Sequence, residues 1–322
     1  MKRIAVFTSG GDAPGMNAAI RAVVRSGIYF GKHMFGILHG YEGMINGEII
    51  PLSSASVSNI IQRGGTILKT ARSQHFLKAE GMKKAATQLK KNKIDGVVAI
   101  GGDGTFRGAL EFSKHTKIPF IGIPGTIDND LFGTDFAIGY DTAINTVVQA
   151  VDKIRDTADS HDRLFFVEVM GRDAGLIALR SGIGVGAEAI LIPETKTSVE
   201  QLVKILEEGK KKKKSSSIII VAEGDEEGGA IAIARKVKEK SDRYDTRVSI
   251  LGHMQRGGSP TCSDRVLASR LGVAAVEALL AGKKNLMVGV SHRDIVFIPF
   301  SKAVKHIEGV NISLWKMVKI LS

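Results

Sequence analysis

Short apolar runs alternate with amphipathic segments along most of the chain, and this alternation predicts parallel strands connected by helices. The first predicted strand is Arg3–Thr8, and the segment that follows it, Ala18–Tyr29, carries the apolar stripe of a helix. The last predicted strand is Leu286–Val290. Between them we predict strands at 34–38, 97–100, 119–123, 164–169, 189–192, 218–221 and 247–251, and helices near 56–63 and at 81–91, 105–113, 141–156, 173–181, 199–208, 230–240 and 263–280. The fold class is therefore α/β.

Two consecutive predicted strands end in turns that are rich in chemically active groups. The strand at 119–123 leads into Pro124–Asp130, where the sequence PGTIDND presents a hydroxyl and two carboxylates. One strand earlier, residues 97–100 lead into Gly101–Thr105, with the sequence GGDGT. Ligands of open parallel sheets bind beyond the carboxyl ends of the strands. Each turn alone is equally compatible with local backbone capping, but the two together favour a functional site.

Glycines and arginines follow several other predicted strands. The turn Thr8–Asn17 has paired glycines before a helix, which allow backbone N–H groups to approach a phosphate. An isolated arginine is usually a surface ion-pair partner, whereas an arginine beside glycine at a strand end is well placed to bind phosphate in a bidentate manner. Such arginines occur within Arg63–Ser73, Met170–Arg172 and Gly252–Pro260. Acidic turns, glycine turns and arginines together indicate phosphoryl transfer, in which carboxylates hold a metal and accept a hydroxyl proton.

Composition narrows the class of protein. A length of 322 residues predicts one large or two ordinary domains, and no apolar run approaches the roughly 18 residues that span a bilayer. The first strand begins at once, so we expect no signal peptide, no membrane partner and a cytoplasmic location. The single cysteine, Cys262, is expected to be a small core residue. The formal charge of +12 favours anionic partners, among them nucleic acid and phosphorylated metabolites.

The turns at 8–17, 101–105, 124–130, 170–172 and 252–260 resemble, in order and spacing, those of the bacterial ATP-dependent 6-phosphofructokinases, over about residues 1–290. This resemblance implies two doubly wound parallel-sheet domains. Residues 1–138 plus about 252–302 are expected to bind ATP and Mg²⁺, and residues 139–251 plus about 303–322 to bind fructose 6-phosphate. It further implies a homotetramer that phosphorylates the 1-hydroxyl of the sugar in glycolysis, giving fructose 1,6-bisphosphate and ADP.

The resemblance also implies individual roles. Asp128 is expected to take the proton of the 1-hydroxyl, and Asp103 to hold Mg²⁺. The group expected to steady the γ-phosphoryl is Thr126, Arg172 and Arg72. The residues expected to line ATP are Gly11, Arg72, Ser73, Gly102, Asp103, Gly104 and Thr105. Those expected to bind the sugar phosphate are Thr126, Ile127, Asp128, Arg163, Met170, Gly171, Arg172, Glu223, Arg247, His253, Met254, Gln255 and Arg256. Of these, Arg163 and Arg247 resemble arginines contributed by a neighbouring subunit.

Departures from the family pattern bear on the alternatives. An arginine often found shortly after Arg72 is missing, and Ala174-Gly175-Leu176 replaces the usual Cys-Gly-Asp. A pyrophosphate-dependent phosphofructokinase typically has Asp in place of Gly104 and Lys in place of Gly125, so both positions favour ATP. NAD and lipid kinases share GGDGT but not the turns at 124–130 and 253–260. A basic nucleic-acid-binding protein would explain the charge but not the acidic turns, and aromatic residues are only 6%.

Regulation is the remaining expectation. Family positions that bind ADP or phosphoenolpyruvate correspond here to Arg21, Arg25, Arg155, Gly186, Ala187, Glu188, Lys212, Lys214, Ser215 and Ser216. The lysines belong to the run 210–214, which is equally compatible with a solvated loop. On the facing wall, Ser53-Ser54-Ala55 and Asn59 stand where regulated relatives carry Asp-Arg-Tyr and Asp. We therefore expect phosphoenolpyruvate to be a weak effector at most.

Overall fold

Strands and helices alternate through the chain as the hydrophobic pattern predicts. The computed structural model describes residues 1–161, 163–211, 217–241, 243–305 and 311–321. The elements of the first half are β1 (Arg3–Thr8), α1 (Met16–Tyr29), β2 (His33–Ile37), α2 (Gly40–Asn46), β3 (Ile49–Leu52), α3 (Ala79–Lys91), β4 (Gly96–Gly101), α4 (Asp103–Phe112), β5 (Phe120–Pro124) and α5 (Tyr140–Asp159).

The second half continues the alternation. Its elements are β6 (Arg163–Val169), α6 (Leu176–Gly184), β7 (Ala189–Leu191), α7 (Val199–Lys211), β8 (Ser217–Ala222), α8 (Ala230–Lys240), β9 (Asp245–Ile250), α9 (Cys262–Leu280), β10 (Leu286–Ser291), β11 (Asp294–Pro299), α10 (Phe300–Ala303) and α11 (Ile312–Leu321). Two short 3₁₀ turns lie at His75–Leu77 and Gly252–Arg256.

The chain divides into two compact units, each made of two segments. Unit 1 comprises Met1–Thr142 and Arg256–Ile307, and unit 2 comprises Ala143–Gln255 and Glu308–Ser322. The expected domains had boundaries near 138, 251 and 302.

Unit 1 contains a seven-stranded sheet in the order β11-β10-β5-β4-β1-β2-β3. The five central strands run parallel, and the edge strands β3 and β11 pair antiparallel with β2 and β10. Pro51 lies in β3, where an edge position tolerates its missing N–H group. Because β1, β4 and β5 are neighbours and parallel, the turns that follow them lie side by side at the C-terminal ends of these strands.

Unit 2 contains a four-stranded parallel sheet in the order β7-β8-β6-β9. The central strand β8 is almost completely buried, and its run of Ile218–Val221 is the continuous apolar pattern of a strand covered on both faces. Strand β9 is an edge strand and is largely exposed. The α/β class with parallel sheets is thus confirmed for both units, with antiparallel edges added in the first.

The largest difference from the predicted elements lies between β3 and α3. The helix predicted near 56–63 is wrong, because residues 54–59 form turns. The hydroxyls of Ser53 and Ser56 hydrogen-bond to each other at 3.2 Å, and Ser56 Oγ accepts from the N–H of Ser53 at 3.0 Å. Side chains that bond to the local backbone compete with helix formation. Asn59 also adopts a positive φ of 54°, which a right-handed helix excludes.

Cys262 is the second correction. It is the first residue of α9 and is exposed, so the expectation that it fills the core is wrong. In the same first turn of α9, Asp264 is buried, so Cys262 lies on the solvent-facing side of the helix. As for membrane contact, none of the helices in the described ranges is both long enough and apolar enough to cross a bilayer.

An aromatic core underlies the site edge of unit 1. The ring of Tyr41 stacks on Phe76 with centroids 3.9 Å apart and contacts Phe7 edge-on at 4.9 Å. Its hydroxyl donates to the carbonyl oxygen of Thr105 at 2.7 Å, and burial raises the pKa of this phenol above its ordinary value. The aromatic core thereby holds the first turn of α4, which begins directly after the GGDGT glycines.

A buried carboxylate fixes the segment between the acidic turn and α5. Asp264, in the first turn of α9, is 1% exposed and accepts from the N–H groups of Gly139 at 2.9 Å and Thr142 at 2.8 Å. Its carboxyl also accepts from the Thr142 hydroxyl at 2.5 Å. Burial raises the pKa of Asp264, and the hydrogen bonds from Thr142 and Gly139 act in the opposite direction.

Replacing Asp264 by Ala leaves the buried N–H groups of Gly139 and Thr142 without this acceptor. A buried donor without a partner costs about 1–3 kcal/mol, so we expect unit 1 to lose roughly 3 kcal/mol of unfolding free energy. Urea unfolding followed by circular dichroism measures the loss. The control is Glu80→Ala, which removes an exposed carboxylate paired with Lys84 and should leave the midpoint nearly unchanged. Equal midpoints for the two variants would contradict the prediction.

Candidate functional site

Three strand-end turns of unit 1 are bonded to one another. Ser9, after β1, donates its N–H to Ile100 O at 3.0 Å, and Gly125, after β5, donates to Gly101 O at 3.0 Å. The hydroxyl of Thr105 donates to Ser9 O at 3.1 Å. A Cβ on Gly101 would lie 2.2 Å from this hydroxyl oxygen. Glycine is therefore required where the turns pack against each other.

The acidic turn is rigid and shielded from water. Asp128 is 5% exposed and Thr126 is 8% exposed. The Thr126 hydroxyl accepts from the N–H of Asp128 at 3.2 Å. Asn129 has a positive φ of 55° and bridges two backbone groups, accepting from Ala137 N at 2.6 Å and donating to the residue 135 carbonyl at 3.1 Å. Ile127 is completely buried, so its side chain anchors the turn.

The glycine turn that follows β4 has the geometry of a phosphate site. Helix α4 begins at Asp103 directly after the extended residue Gly102, with no side chain capping its first N–H groups. The backbone N–H groups at a helix N-terminus and the helix dipole attract an anion. A Cβ on Gly104 would have no atom within 4 Å, so the turn is open on that side. A Cβ on Gly102 would lie 3.4 Å from Thr126 Cβ, so Gly102 is next to the acidic turn. An anion bound here would lie beside the acidic turn.

Asp103 is the residue of this turn that fits a magnesium ion. In the described part of the chain, no three His, Cys, Asp or Glu side chains form a ready-made metal cage. Mg²⁺ is usually held by one or two carboxylates together with substrate phosphates, and a lone carboxylate beside a phosphate site meets that need. Arg107, one helical turn later, bonds to both carboxylate oxygens at 2.8 and 2.9 Å and keeps the group oriented.

The loop that carries Arg72 is anchored to the first glycine turn. Asn17, 1% exposed, donates to the carbonyls of Arg63 and Gly64, both at 3.1 Å, and accepts from Ile67 N at 2.8 Å. Further bonds run from the Thr8 hydroxyl to Lys69 O at 2.8 Å and from the Thr70 hydroxyl to Gly10 O at 2.7 Å. No role was predicted for Asn17. Its place at the end of the turn 8–17 is visible in the sequence, but its burial is visible only in the structure.

The two predicted ATP contacts in this loop differ in their surroundings. Arg72 is exposed and has no hydrogen bond or ion pair within the described residues. Ser73 is already engaged, because its hydroxyl contacts Glu42 and accepts from Phe76 N at 3.0 Å. The hydrogen bond from Ser73 is the main cause that lowers the pKa of Glu42. Arg72 is thus available to an anion, while Ser73 also shapes the turn.

Arg256 lies on the first glycine turn. Its Nη1 donates to Asp12 O at 3.3 Å, and a Cβ on Gly11 would be only 2.5 Å from the same nitrogen. The resemblance assigns Arg256 to the sugar phosphate and Gly11 to ATP. The structure brings these two residues together in unit 1.

In unit 2, the Gly171-Arg172 turn after β6 is held from two sides. Arg172 has a positive φ of 54°, and its N–H donates to Glu223 Oε1 at 2.9 Å. Gln255 accepts from Met170 N at 3.3 Å and donates to Gly252 O at 3.1 Å. Gln255 is completely buried, so its amide supports this turn, whereas His253 and Met254 beside it are exposed.

The two remaining predicted arginines converge on one carboxylate. Arg163 Nε donates to Asp245 Oδ2 at 2.9 Å, and Arg247 Nη1 contacts Asp245 Oδ1. Asp245 was not among the predicted site residues. The two-residue spacing on β9 places Asp245 and Arg247 on one face, but the pairing of Asp245 with Arg163 depends on the register of β6 against β9.

The predicted effector positions fall into three groups. In unit 2, Arg155 Nη2 donates to Val185 O, next to Gly186–Glu188. Glu188 is 8% exposed and accepts from Ile218 N at 2.8 Å. In unit 1, Arg21 is half-buried and Arg25 exposed. The four positions Lys212, Lys214, Ser215 and Ser216 lie outside the described residues.

The phosphofructokinase family profile matches residues 3–279. The chain belongs to this family. It is 56% identical over 322 residues to a Bacteroides thetaiotaomicron protein named ATP-dependent 6-phosphofructokinase 2, covering all of this chain and 99% of that protein. It is 54% identical over 322 residues to ATP-dependent 6-phosphofructokinase 1 of Thermus thermophilus, with complete coverage of both.

A solved structure extends this phosphofructokinase likeness to the fold. The structure of phosphofructokinase from Saccharomyces cerevisiae matches with a TM-score of 0.89 and 37% identity. The match covers 100% of this chain and 47% of the yeast chain. The two bacterial relatives have nearly the same length as this chain, whereas the matched yeast chain is longer.

Proposed function

We infer that this protein is an ATP-dependent 6-phosphofructokinase, which transfers the γ-phosphoryl group of ATP to the 1-hydroxyl of fructose 6-phosphate. The products are fructose 1,6-bisphosphate and ADP. The observation that carries the proposal is the juxtaposition of Gly102, at the open N-terminus of α4, with the buried acidic turn at Thr126. A phosphate-binding helix end beside a sheltered carboxylate provides the two components that in-line phosphoryl transfer requires.

Asp128 is the general base in this proposal. The proton of the sugar 1-hydroxyl passes to its carboxylate while the hydroxyl oxygen bonds to the γ-phosphorus, and the bond between the β–γ bridging oxygen and the γ-phosphorus breaks to release ADP. The backbone bond to Thr126 and the anchoring of Asn129 keep the carboxylate in place without reorganisation. Arg72 and Arg172 neutralise charge on the transferring group. Asp103 would hold Mg²⁺ together with the phosphates of ATP, and the ion would offset the negative charge of the phosphate oxygens.

Two glycines favour ATP over pyrophosphate as the donor. Open space beside Gly104 leaves room for the nucleotide's α-phosphate, which a side chain at this position would fill. A Cβ on Gly125 would meet Ile100 at 3.0 Å and Met16 at 3.2 Å, so a lysine there would have to displace core atoms. Gly104 and Gly125 therefore fit the alternative, a pyrophosphate-dependent enzyme, less well than an ATP-dependent one.

The sugar phosphate is assigned to unit 2 residues and Arg256. We propose that Glu223 and Met170 contact the sugar and that His253, Arg256, Arg163 and Arg247 bind its 6-phosphate, with the last two supplied by a neighbouring subunit of a homotetramer. The edge strand β9 supports an interface, since Val248 is 36% and Ile250 is 53% exposed on the same strand as Arg247. Apolar side chains exposed on a sheet edge favour association.

Asp128→Asn keeps the shape of the base but removes its proton acceptor. In a coupled assay with fructose 6-phosphate, we expect the wild type to use ATP and not pyrophosphate as the phosphoryl donor. With ATP, we expect the variant to lose about 10²–10⁴-fold in kcat. ATP affinity should stay unchanged, because Asp103 and the glycine turns are intact. The matched control is Asp294→Asn, an exposed carboxylate in β11. A variant with near-normal kcat, or a wild type driven by pyrophosphate, would overturn the proposal.

A site shared between subunits predicts complementation. Asp128→Asn lacks the base and Arg163→Ala lacks a phosphate ligand, so each homotetramer should be poorly active at low fructose 6-phosphate. After equal mixing and subunit exchange, roughly a quarter of the sites should carry both groups and recover activity. Asp128→Asn mixed with Asp103→Asn is the control, because both residues belong to one chain's part of the site. Failure to complement in a tetramer shown to exchange its subunits would argue for single-chain sites.

Weak regulation by phosphoenolpyruvate is the third expectation. Ser53 and Ser56 bond to each other in the turn where regulated relatives carry a cation and an aromatic ring. Losing one charge-assisted contact and a stacking partner costs about 2–4 kcal/mol of effector binding. Millimolar phosphoenolpyruvate should therefore shift fructose 6-phosphate saturation by less than about twofold, and Ser54→Arg should enlarge the shift. A strongly sigmoidal, inhibitor-shifted wild-type curve would refute this expectation.

A further inference from the structure

Two arginines of unit 2 share a single carboxylate at one end of the sheet. Arg163 opens β6 and Asp245 opens β9, and the two residues are paired in the parallel register of these strands. Arg247 follows two residues later on β9. Arg163 Nε lies 2.9 Å from Asp245 Oδ2, and Arg247 Nη1 contacts Oδ1. Each carboxylate oxygen thus holds a different guanidinium group.

The carboxylate offsets the repulsion between two cations that are held close together. Two guanidinium groups on neighbouring strands repel each other, and a shared anion between them removes that cost. The hydrogen bond from Arg163 lowers the pKa of Asp245, and the charge of Arg247 acts in the same direction. Asp245 therefore remains ionised throughout the neutral range. Arg163 is the more enclosed of the two arginines, with 26% of its side chain exposed against 47% for Arg247.

The geometry leaves donor groups of both arginines available to a further anion. Arg163 uses Nε for Asp245, and its terminal nitrogens have no other hydrogen-bond acceptor among the residues that the structure describes. Arg247 uses Nη1 for Asp245 and for the carbonyl of Thr246 at 3.1 Å. Contact of Arg163 through Nε leaves the opposite edge of its guanidinium, which carries N–H groups of both terminal nitrogens, open to another acceptor. Arg247, which uses Nη1, has no acceptor for Nε or Nη2 among the described residues, so each arginine offers donors that can bind the oxygens of a phosphate monoester.

We propose that Asp245 is a positioning residue for the sugar phosphate, holding Arg163 and Arg247 in the arrangement that binds the phosphate group. The inference rests on the proposed function, in which these two arginines bind the 6-phosphate. Asp245 itself does not touch the substrate, because a carboxylate would repel it. Its contribution is pre-organisation, which removes the cost of ordering two long side chains when the phosphate binds.

Asp245→Asn tests the inference because it keeps the size of the side chain and removes its charge. We expect KM for fructose 6-phosphate to rise about tenfold, with kcat and KM for ATP changed less than about twofold. Asp245→Glu restores the charge one methylene further out and should raise the sugar-phosphate KM only about threefold. A general structural defect would instead lower kcat and affect both substrates. An unchanged or lowered sugar-phosphate KM in Asp245→Asn would overturn the proposal. The carboxylate would then contribute nothing to phosphate binding, or it would compete with the phosphate for the arginines.

The matched control is Glu200→Gln, which removes one exposed carboxylate paired with Lys240 in the same unit. It changes the net charge equally and should leave both KM values unchanged. If Glu200→Gln raised the sugar-phosphate KM as much as Asp245→Asn, long-range charge would explain the effect and the proposal would fail.

A double-mutant cycle with Arg163→Ala separates this inference from the proposed function. If Asp245 acts through the arginines, Asp245→Asn should raise KM much less in the Arg163→Ala background than in the wild type. Equal effects in both backgrounds would reject the positioning role. If Arg163→Ala and Arg247→Ala both saturate normally with fructose 6-phosphate, the assignment of the arginines is itself wrong. If they saturate poorly and Asp245→Asn does not, only the role of Asp245 is rejected.

Discussion

The hydrogen bonding between the turns after β1, β4 and β5 is the constraint on which the candidate site of unit 1 depends. Thr105 is central to it, because its hydroxyl binds the first turn and its carbonyl accepts from Tyr41 in the aromatic core. The start of α4 is therefore fixed both to its neighbouring turn and to the core. Since a phosphate site and a base must keep their separation during the reaction, this rigidity is the physical basis of the proposed chemistry.

Four arginines in the described part of the chain are oriented by polar partners. Arg107 is held by Asp103, and Arg256 by the carbonyl of Asp12. Arg163 and Arg247 are held by Asp245. Exposed ion pairs of this kind add little stability, so their value lies in orientation. Oriented arginines and a formal charge of +12 are both consistent with binding small phosphorylated anions.

Most of the strands and helices followed from periodicity, because buried parallel strands and amphipathic helices leave strong patterns. The predictions failed in segments whose structure depends on the edge of a sheet or on hydrogen bonds between local side chains. The strands β3 and β11 are edge strands that pair antiparallel with the preceding strand. Strand β11 follows β10 after a short turn, and the helix before β3, α2, is only seven residues long, so the alternation of strands with long helices does not mark either strand in the sequence. The serine-rich segment from Ser53 had a helical pattern, yet its hydroxyls bond within a turn. Cys262 was misassigned because composition says nothing about which face of α9 it occupies.

By itself, the sequence determined the α/β class, the family and the strand ends that carry the glycines, carboxylates and arginines, since apolar runs and turn residues are local properties. Only the tertiary structure decided which of these groups meet. Arg163 and Asp245 are 82 positions apart, and their pairing depends on the register of β6 against β9. Arg256 reaches Asp12 across 244 positions. The first contact is set by the packing of the whole sheet, because a shift of one residue in the register would turn one of the two side chains to the opposite face. The second depends on how the ends of the chain segments fold together.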